Sequence, residues 1–225
     1  MTVAEGVRAV REGMAAAAAR AGVSEKSILL VAATKMNDAS RVREAIAAGI
    51  DAAGENRVQE LLEKNAQGAY EGAPLHFIGH LQRNKVKYVV GTADLIQSAG
   101  SAELLRAISE RAAALGTVQR VLLEVNVGRE EAKSGVLPEE LDETAAFAGS
   151  LPGISVQGLM AIPPKTEKTV YFEQMYKFFV DIKQKRYDNV CMDILSMGMS
   201  ADYAAAISCG ANMVRVGSAI FGPRY

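Results

Sequence analysis

The run Ile28-Leu29-Leu30-Val31-Ala32-Ala33-Thr34-Lys35 is apolar until its last two residues and ends on a lysine. At the tip of a buried strand, that side chain gives up much of its water. Desolvation penalises the ammonium, lowers its pKa and favours the neutral amine, which can condense with an aldehyde to a Schiff base. A solvated lysine that merely ends a strand is the competing reading of Lys35.

A second chemical run lies near the other end of the chain. In Asn212-Met213-Val214-Arg215-Val216-Gly217-Ser218, strand alternation puts Met213, Arg215 and Gly217 on one face, with Val214 and Val216 on the other. If the valine face packs on helices, Arg215 points inward, where a guanidinium is costly unless paired or bonded to a polar ligand. A structural ion pair, with Glu124 as the candidate acid, and a bound polar group both answer that demand, and the two are compatible.

Two glycine–serine loops accompany these residues, Ser196-Met197-Gly198-Met199-Ser200 and Gly217-Ser218-Ala219. Glycine admits close backbone approach, serine adds hydroxyl donors, and Ser200 is placed to cap a helix over Ala201–Cys209. Two such loops suit a phosphate. His76 and His80, the only histidines, flank a strand end and lack the companions of a zinc site.

The elements that must position these groups alternate along the chain. Strand-length apolar runs fall at Ser27–Lys35, Asp51–Gly54, Leu75–Gly79, Leu95–Ser98, Val118–Asn126, Ile154–Ala161, Ile194–Met197 and Met213–Val216. Helical periodicity separates them at Ala39–Ala48, Arg57–Ala66, Ala102–Ala114, Pro138–Phe147, Thr169–Lys185 and Ala201–Cys209. This alternation predicts an α/β fold, a single (β/α)8 TIM-type barrel over residues 1–225 with a leading N-terminal helix. An open doubly wound sheet is the alternative. Most strands finish on polar or glycine-rich tips, and barrels of this type carry their chemistry at the carboxyl ends, with phosphate sites after strands seven and eight.

Composition bounds the partners. With 25 basic and 26 acidic side chains and a net charge of −1, the chain lacks the basic excess of a nucleic-acid binder. The alanine-rich run Met14–Ala19 is short and flanked by charges, so no membrane segment or targeting signal is expected. Two cysteines give no disulfide framework, which suits a reducing cytoplasm.

The segments Ala33-Thr34-Lys35, Gly54-Glu55-Asn56-Arg57-Val58-Gln59-Glu60, His76-Phe77-Ile78-Gly79-His80-Leu81-Gln82-Arg83-Asn84-Lys85, Leu195-Ser196-Met197-Gly198-Met199-Ser200 and Val214-Arg215-Val216-Gly217-Ser218-Ala219-Ile220-Phe221-Gly222 together resemble the pyridoxal 5′-phosphate (PLP) homeostasis proteins of the YggS/PROSC type. The resemblance implies a barrel like the N-terminal domain of alanine racemase, with PLP on Lys35. It further implies Arg215 facing the pyridine nitrogen, Ser200, Gly217 and Ser218 holding the phosphate, and Asn56 and Met199 lining the cofactor. Ser196 is a loop support on this reading. One departure stands out: where many relatives read His-Ser-Val-Asp-Ser after the fourth strand, this chain has Gln97-Ser98-Ala99-Gly100-Ser101.

The resemblance points to a carrier or regulator of PLP with little or no turnover, handing PLP to PLP-dependent apoenzymes. An arginine keeps its own proton and leaves the pyridine a weaker electron sink. Racemisation also needs a second base, which alanine racemase draws from an added domain of its partner, and only Pro223-Arg224-Tyr225 follow Gly222. A slow amino-acid racemase and a Schiff-base aldolase acting on a phosphorylated sugar are the alternatives. No apolar stripe remains once the helices are docked, so a monomer is expected.

Overall fold

In the computed structural model, residues 1–164 and 169–222 are described. Strands β1 (Leu29–Ala33), β2 (Ala52–Glu55), β3 (Leu75–Phe77), β4 (Leu95–Ala99), β5 (Gln119–Glu124), β6 (Ile154–Met160), β7 (Val190–Ser196) and β8 (Met213–Val216) close into a parallel barrel in chain order. The last strand returns to the first, with Leu29 opposite Met213 and Ala32 opposite Val216. Around it lie α1 (Val3–Ala21), α2 (Ala39–Ala47), α3 (Val58–Asn65), α4 (Val86–Val89), α5 (Ala102–Ala114), α6 (Leu141–Gly149), α7 (Val170–Lys183), α8 (Tyr203–Ser208) and α9 (Ser218–Phe221).

The barrel's interior is sorted by the two-residue period of its strands. Val31, Ala52, Leu95, Leu122, Met160, Ile194 and Met213 form an apolar floor. Two residues further along four of the same strands stand Gln97, Glu124, Ser196 and Arg215, all buried. The same inward face therefore turns from apolar to polar on approaching the carboxyl end, where such barrels do chemistry.

The leading helix has a structural task. Thr2 and Glu5 form a capping box at the start of α1, and Gly22 ends it in the left-handed conformation. Its stripe Val3, Val7, Val10, Met14 and Ala17 packs on Leu30, Ala32, Val214 and Val216, the outer faces of β1 and β8. Each valine or methionine of that stripe contributes about 1.5–3 kcal/mol when fully buried. Gly6 sets the closeness of this contact, since a Cβ there would lie 2.5 Å from the Ile220 carbonyl oxygen of α9. The helix thus braces the last strand and the turn that follows it.

Element boundaries differ from the sequence expectation where local geometry intervenes. The first strand is shorter than Ser27–Lys35: Glu25–Ser27 is a 3-10 turn, and Lys35-Met36 form a turn with Met36 at φ 60°. Lys35 therefore follows the strand rather than ending it. The seventh strand starts earlier than Ile194, because exposed Cys191 and Asp193 alternate with buried Met192, a half-buried pattern that the apolar run alone misses. The helix expected from Pro138 opens with a 3-10 turn, Pro138–Glu140, before α6. Pro223-Arg224-Tyr225, on which the expectation of a missing second domain leans, lie outside the described residues.

Candidate functional site

Lys35 is half-buried, and its carbonyl accepts a hydrogen bond from Asn37 Nδ2 at 3.0 Å. Val31 faces the barrel interior, whereas Thr34 faces outward towards β2 and α3. Thr34 is pinned from behind. Its Oγ1 donates to Glu55 Oε1 at 2.6 Å, and its carbonyl accepts from Lys64 Nζ at 2.9 Å. Lys64 also bonds Glu55 Oε1 at 2.6 Å and Glu60 Oε2 at 3.2 Å, while Glu60 accepts the Met36 amide at 2.7 Å. The turn that carries Lys35 is thereby tied on both sides to α3.

Arg215 points inward, as the valine alternation predicts: Val214 and Val216 pack with α1, and Arg215 is 4% exposed. Its Nη1 donates to Ser196 Oγ at 2.7 Å and its Nη2 to the Ala161 carbonyl at 2.9 Å. Burial pulls its pKa down to about 10, opposed by the charges of Glu124 and Asp202, so it stays protonated at neutral pH. The ion pair with Glu124, one of the two answers open for this guanidinium, is not formed: among the described residues Arg215 pairs with no carboxylate, and Glu124 Oε2 is buried without a hydrogen bond. Burial pushes the Glu124 carboxyl above its ordinary range, only partly countered by Arg215. Serine and backbone groups meet the guanidinium first, and that geometry leaves the acid to interact with it at a distance.

The two glycine–serine loops meet. Gly198 adopts φ 90°, and a Cβ there would sit 2.6 Å from Ala206 Cβ, so glycine lets the loop fold tightly against α8. Ser200 does not cap α8, which begins later, at Tyr203, behind Asp202. Its Oγ instead accepts from the amides of Gly217 at 3.2 Å and Ala219 at 3.3 Å. Asp202 stands at the N-cap of α8 without a side-chain capping bond, and its Oδ1 accepts the Met199 amide at 2.6 Å instead. Gly217 is half-buried, whereas Ser218 and Met199 are exposed, Met199 at 36%.

Asn56 follows β2, half-buried, and its Oδ1 lacks a partner, as does Ser98 Oγ beyond the floor of β4. A cavity of about 500 Å³ opens beside Ser98, with His80, Arg83 and Ser134 in its wall. The two histidines have separate surroundings: His76 Nδ1 meets Gln97 Nε2 at 3.0 Å, and His80 Nδ1 meets Ser134 Oγ at 2.7 Å. Ladder pairing thus brings Lys35 beyond β1 between Asn56 beyond β2 and Gly217-Ser218 beyond β8, with Ser200 joining from the β7 loop.

Sequence reasoning missed Gln97 as a working residue, reading it only as a departure, and missed Lys64 altogether. The Glu60–Lys64 spacing of one helical turn was a usable signal for the latter. For Gln97 the signal was its place two residues after an inward leucine.

Comparison with known proteins shows the family. Residues 7–225 match the family described as alanine racemase, N-terminal domain. A pyridoxal phosphate homeostasis protein of Aquifex aeolicus is 41% identical over 228 residues, spanning 100% of this chain and 99% of that protein. One from Escherichia coli K12 is 39% identical over 229 residues, spanning 99% and 97%. The PipY protein of Synechococcus elongatus, solved with PLP bound, is 30% identical with a TM-score of 0.83, covering 98% of this chain and 100% of that one. The chain belongs to the alanine racemase N-terminal domain family and, within it, to the pyridoxal phosphate homeostasis proteins.

Proposed function

We propose that this protein binds PLP covalently as a Schiff base on Lys35 and acts in PLP homeostasis as a carrier or regulator with little or no catalytic turnover. The observation that carries it is the convergence of three kinds of group at one end of the barrel. A half-buried lysine leaves β1, a buried guanidinium stands on neighbouring β8, and two loops share a serine hydroxyl across the amides of Gly217 and Ala219. Amine, fixed cation and anion-binding amides match the aldehyde, the pyridine nitrogen and the phosphate of PLP.

The orphaned polar atoms fit the same group. Asn56 Oδ1, Ser98 Oγ and Glu124 Oε2 are buried near the strand ends without hydrogen bonds, a cost that a polar ligand relieves. Ser200, Gly217 and Ser218 hold the phosphate, Arg215 meets the ring nitrogen, and Asn56 and Met199 line the ring. When bound, PLP supplies an aldehyde for amines and a ring that accepts electrons; a guanidinium that keeps its proton makes that ring a weak acceptor. This favours holding the cofactor over turning substrates over. The names of the curated relatives and PLP in the related PipY structure support the reading. PLP-dependent apoenzymes are the recipients in this proposal, and the working unit is one barrel acting as a cytoplasmic monomer. Among the described residues, no helix is long and apolar enough to cross a membrane.

The test is an absorption spectrum of purified protein before and after borohydride, beside a Lys35→Ala variant. The expected result is a visible band that the variant lacks, with the reduced adduct mapping to Lys35. Absence of a band after PLP addition overturns the site, and trapping only with an added sugar phosphate moves the aldolase reading forward. Conversion of L-alanine to D-alanine at ordinary enzyme rates overturns the carrier part alone.

A further inference from the structure

Behind Arg215 runs a buried chain of hydrogen bonds that crosses the barrel. Arg215 Nη1 donates to Ser196 Oγ at 2.7 Å, Ser196 Oγ donates to Gln97 Oε1 at 2.7 Å, and Gln97 Nε2 lies 3.0 Å from His76 Nδ1. All four side chains are buried, Ser196 and Gln97 completely. The direction of the chain follows from its first member, because a guanidinium can only donate. Ser196 must accept there, so its single proton goes to Gln97 Oε1. Gln97 then has only its amide nitrogen to offer His76, whose Nδ1 must be a bare acceptor. A protonated imidazole breaks that order.

We propose that Gln97 is a positioning residue for Arg215, locking the guanidinium through Ser196 into one fixed donor arrangement toward the pyridine nitrogen of PLP. The proposal rests on the PLP reading above and adds to it a reason for the glutamine. An amide offers an acceptor to Ser196 and a donor to His76 without titrating. Burial holds His76 neutral, and of the charges acting on it Asp94 favours the protonated form while Arg120 opposes it. Around the other end, Glu124 and Asp202 both favour the charged guanidinium. Gln97 Nε2 also reaches Met213 Sδ at 3.2 Å, which seats the amide on the apolar floor.

The experiment uses holoprotein loaded with PLP labelled with nitrogen-15 in the ring, and reads the ring-nitrogen chemical shift against pH alongside the PLP dissociation constant. Gln97→Leu removes both ends of the bridge while keeping the volume. It is expected to move the ring-nitrogen shift and weaken PLP binding roughly three- to tenfold, the size of one lost hydrogen bond. Gln97→Glu is the sharper variant. Its protonated form has the same acceptor and donor pattern as the amide, whereas its ionised form presents two acceptors, one of them to His76 Nδ1. The ring-nitrogen signal of this variant is expected to match wild type at low pH and depart from it as the acid ionises. Ring-nitrogen shifts equal to wild type in both variants at every pH, with the visible band intact, overturn the proposal. If Gln97→Leu does not fold, Gln97→Glu alone decides. A wild-type protein without the band overturns the PLP reading itself, so the two failures are distinct.

Discussion

Ser200 Oγ lies 3.2 Å from the Gly217 amide nitrogen, although the two residues belong to loops after different strands. With the Ala219 amide at 3.3 Å, the hydroxyl oxygen already occupies the place of an anion between two backbone donors. The loops are therefore held in register before a phosphate arrives, and the entropy of ordering them is spent in folding rather than in binding.

From this follows the outcome of Ser200→Ala. When the amides turn to a phosphate, the hydroxyl becomes a further donor to the dianion, a charge-assisted bond that alanine cannot make. PLP affinity is expected to fall about tenfold, corresponding to ~1.4 kcal/mol. Titration followed by absorbance checks this. Because Lys35 is untouched, the band itself persists at saturating PLP.

The strut behind Lys35 predicts an asymmetry between two variants. Glu55 is fully buried and its carboxylate is matched by Lys64 Nζ at 2.6 Å. Lys64→Met strands that charge and is expected to cost about 3–5 kcal/mol in denaturant unfolding. Glu55→Gln combined with Lys64→Met removes both charges and recovers most of the loss. If the double variant is as unstable as the single one, the stabilisation lies in packing and not in the ion pair.

What the sequence disclosed and what it hid divide along a physical line. The inward turn of Arg215 was legible because Val214 and Val216 leave the strand only one polar face. The barrel itself was legible because its strands and helices alternate so regularly. Contacts between residues far apart in sequence were not. Ser200 looks like a helix cap when only Ala201-Asp202-Tyr203 are in view, and its real partners stand in another loop. Glu124 looked like the counter-ion of Arg215 because charge matching ignores where each side chain ends. The guanidinium meets Ser196 and the Ala161 carbonyl first. The Lys35 turn was hidden for a similar reason, since Met36 at φ 60° is held by Glu60 from a helix two elements away.

Gly198→Ala tests whether the β7 loop must be as tight as it is. The substitution places a side chain at φ 90° and drives its Cβ against Ala206 Cβ and Tyr203 Cα, at 2.6 and 2.9 Å. Strain of this kind costs on the order of 1–3 kcal/mol. Relief requires the loop to lift from α8, which draws Ser200 away from the Gly217 amide. Both lower stability and weaker PLP binding are expected, read by unfolding and by absorbance titration. Lower stability with unchanged binding would separate the loop's tightness from its phosphate role.

His76 predicts a pH dependence with a definite sign. Burial lowers its pKa from 6.5 to about 4, with Asp94 only partly opposing. Between those two values the unfolded chain carries a proton on this imidazole and the folded one does not. Unfolding therefore takes up a proton in that window, and stability falls as the pH drops from 6.5 towards 4. The whole loss from this group amounts to about 3 kcal/mol. His76→Asn keeps an acceptor for Gln97 Nε2 but cannot titrate. Its unfolding free energy is expected to lose that part of the acid-side slope, staying near wild type at the neutral end and exceeding it towards pH 4. The check is a set of urea unfolding curves across the window for both proteins. Parallel slopes would show that His76 is protonated as readily in the folded barrel as in the open chain, and that the Gln97 bridge does not depend on its neutrality.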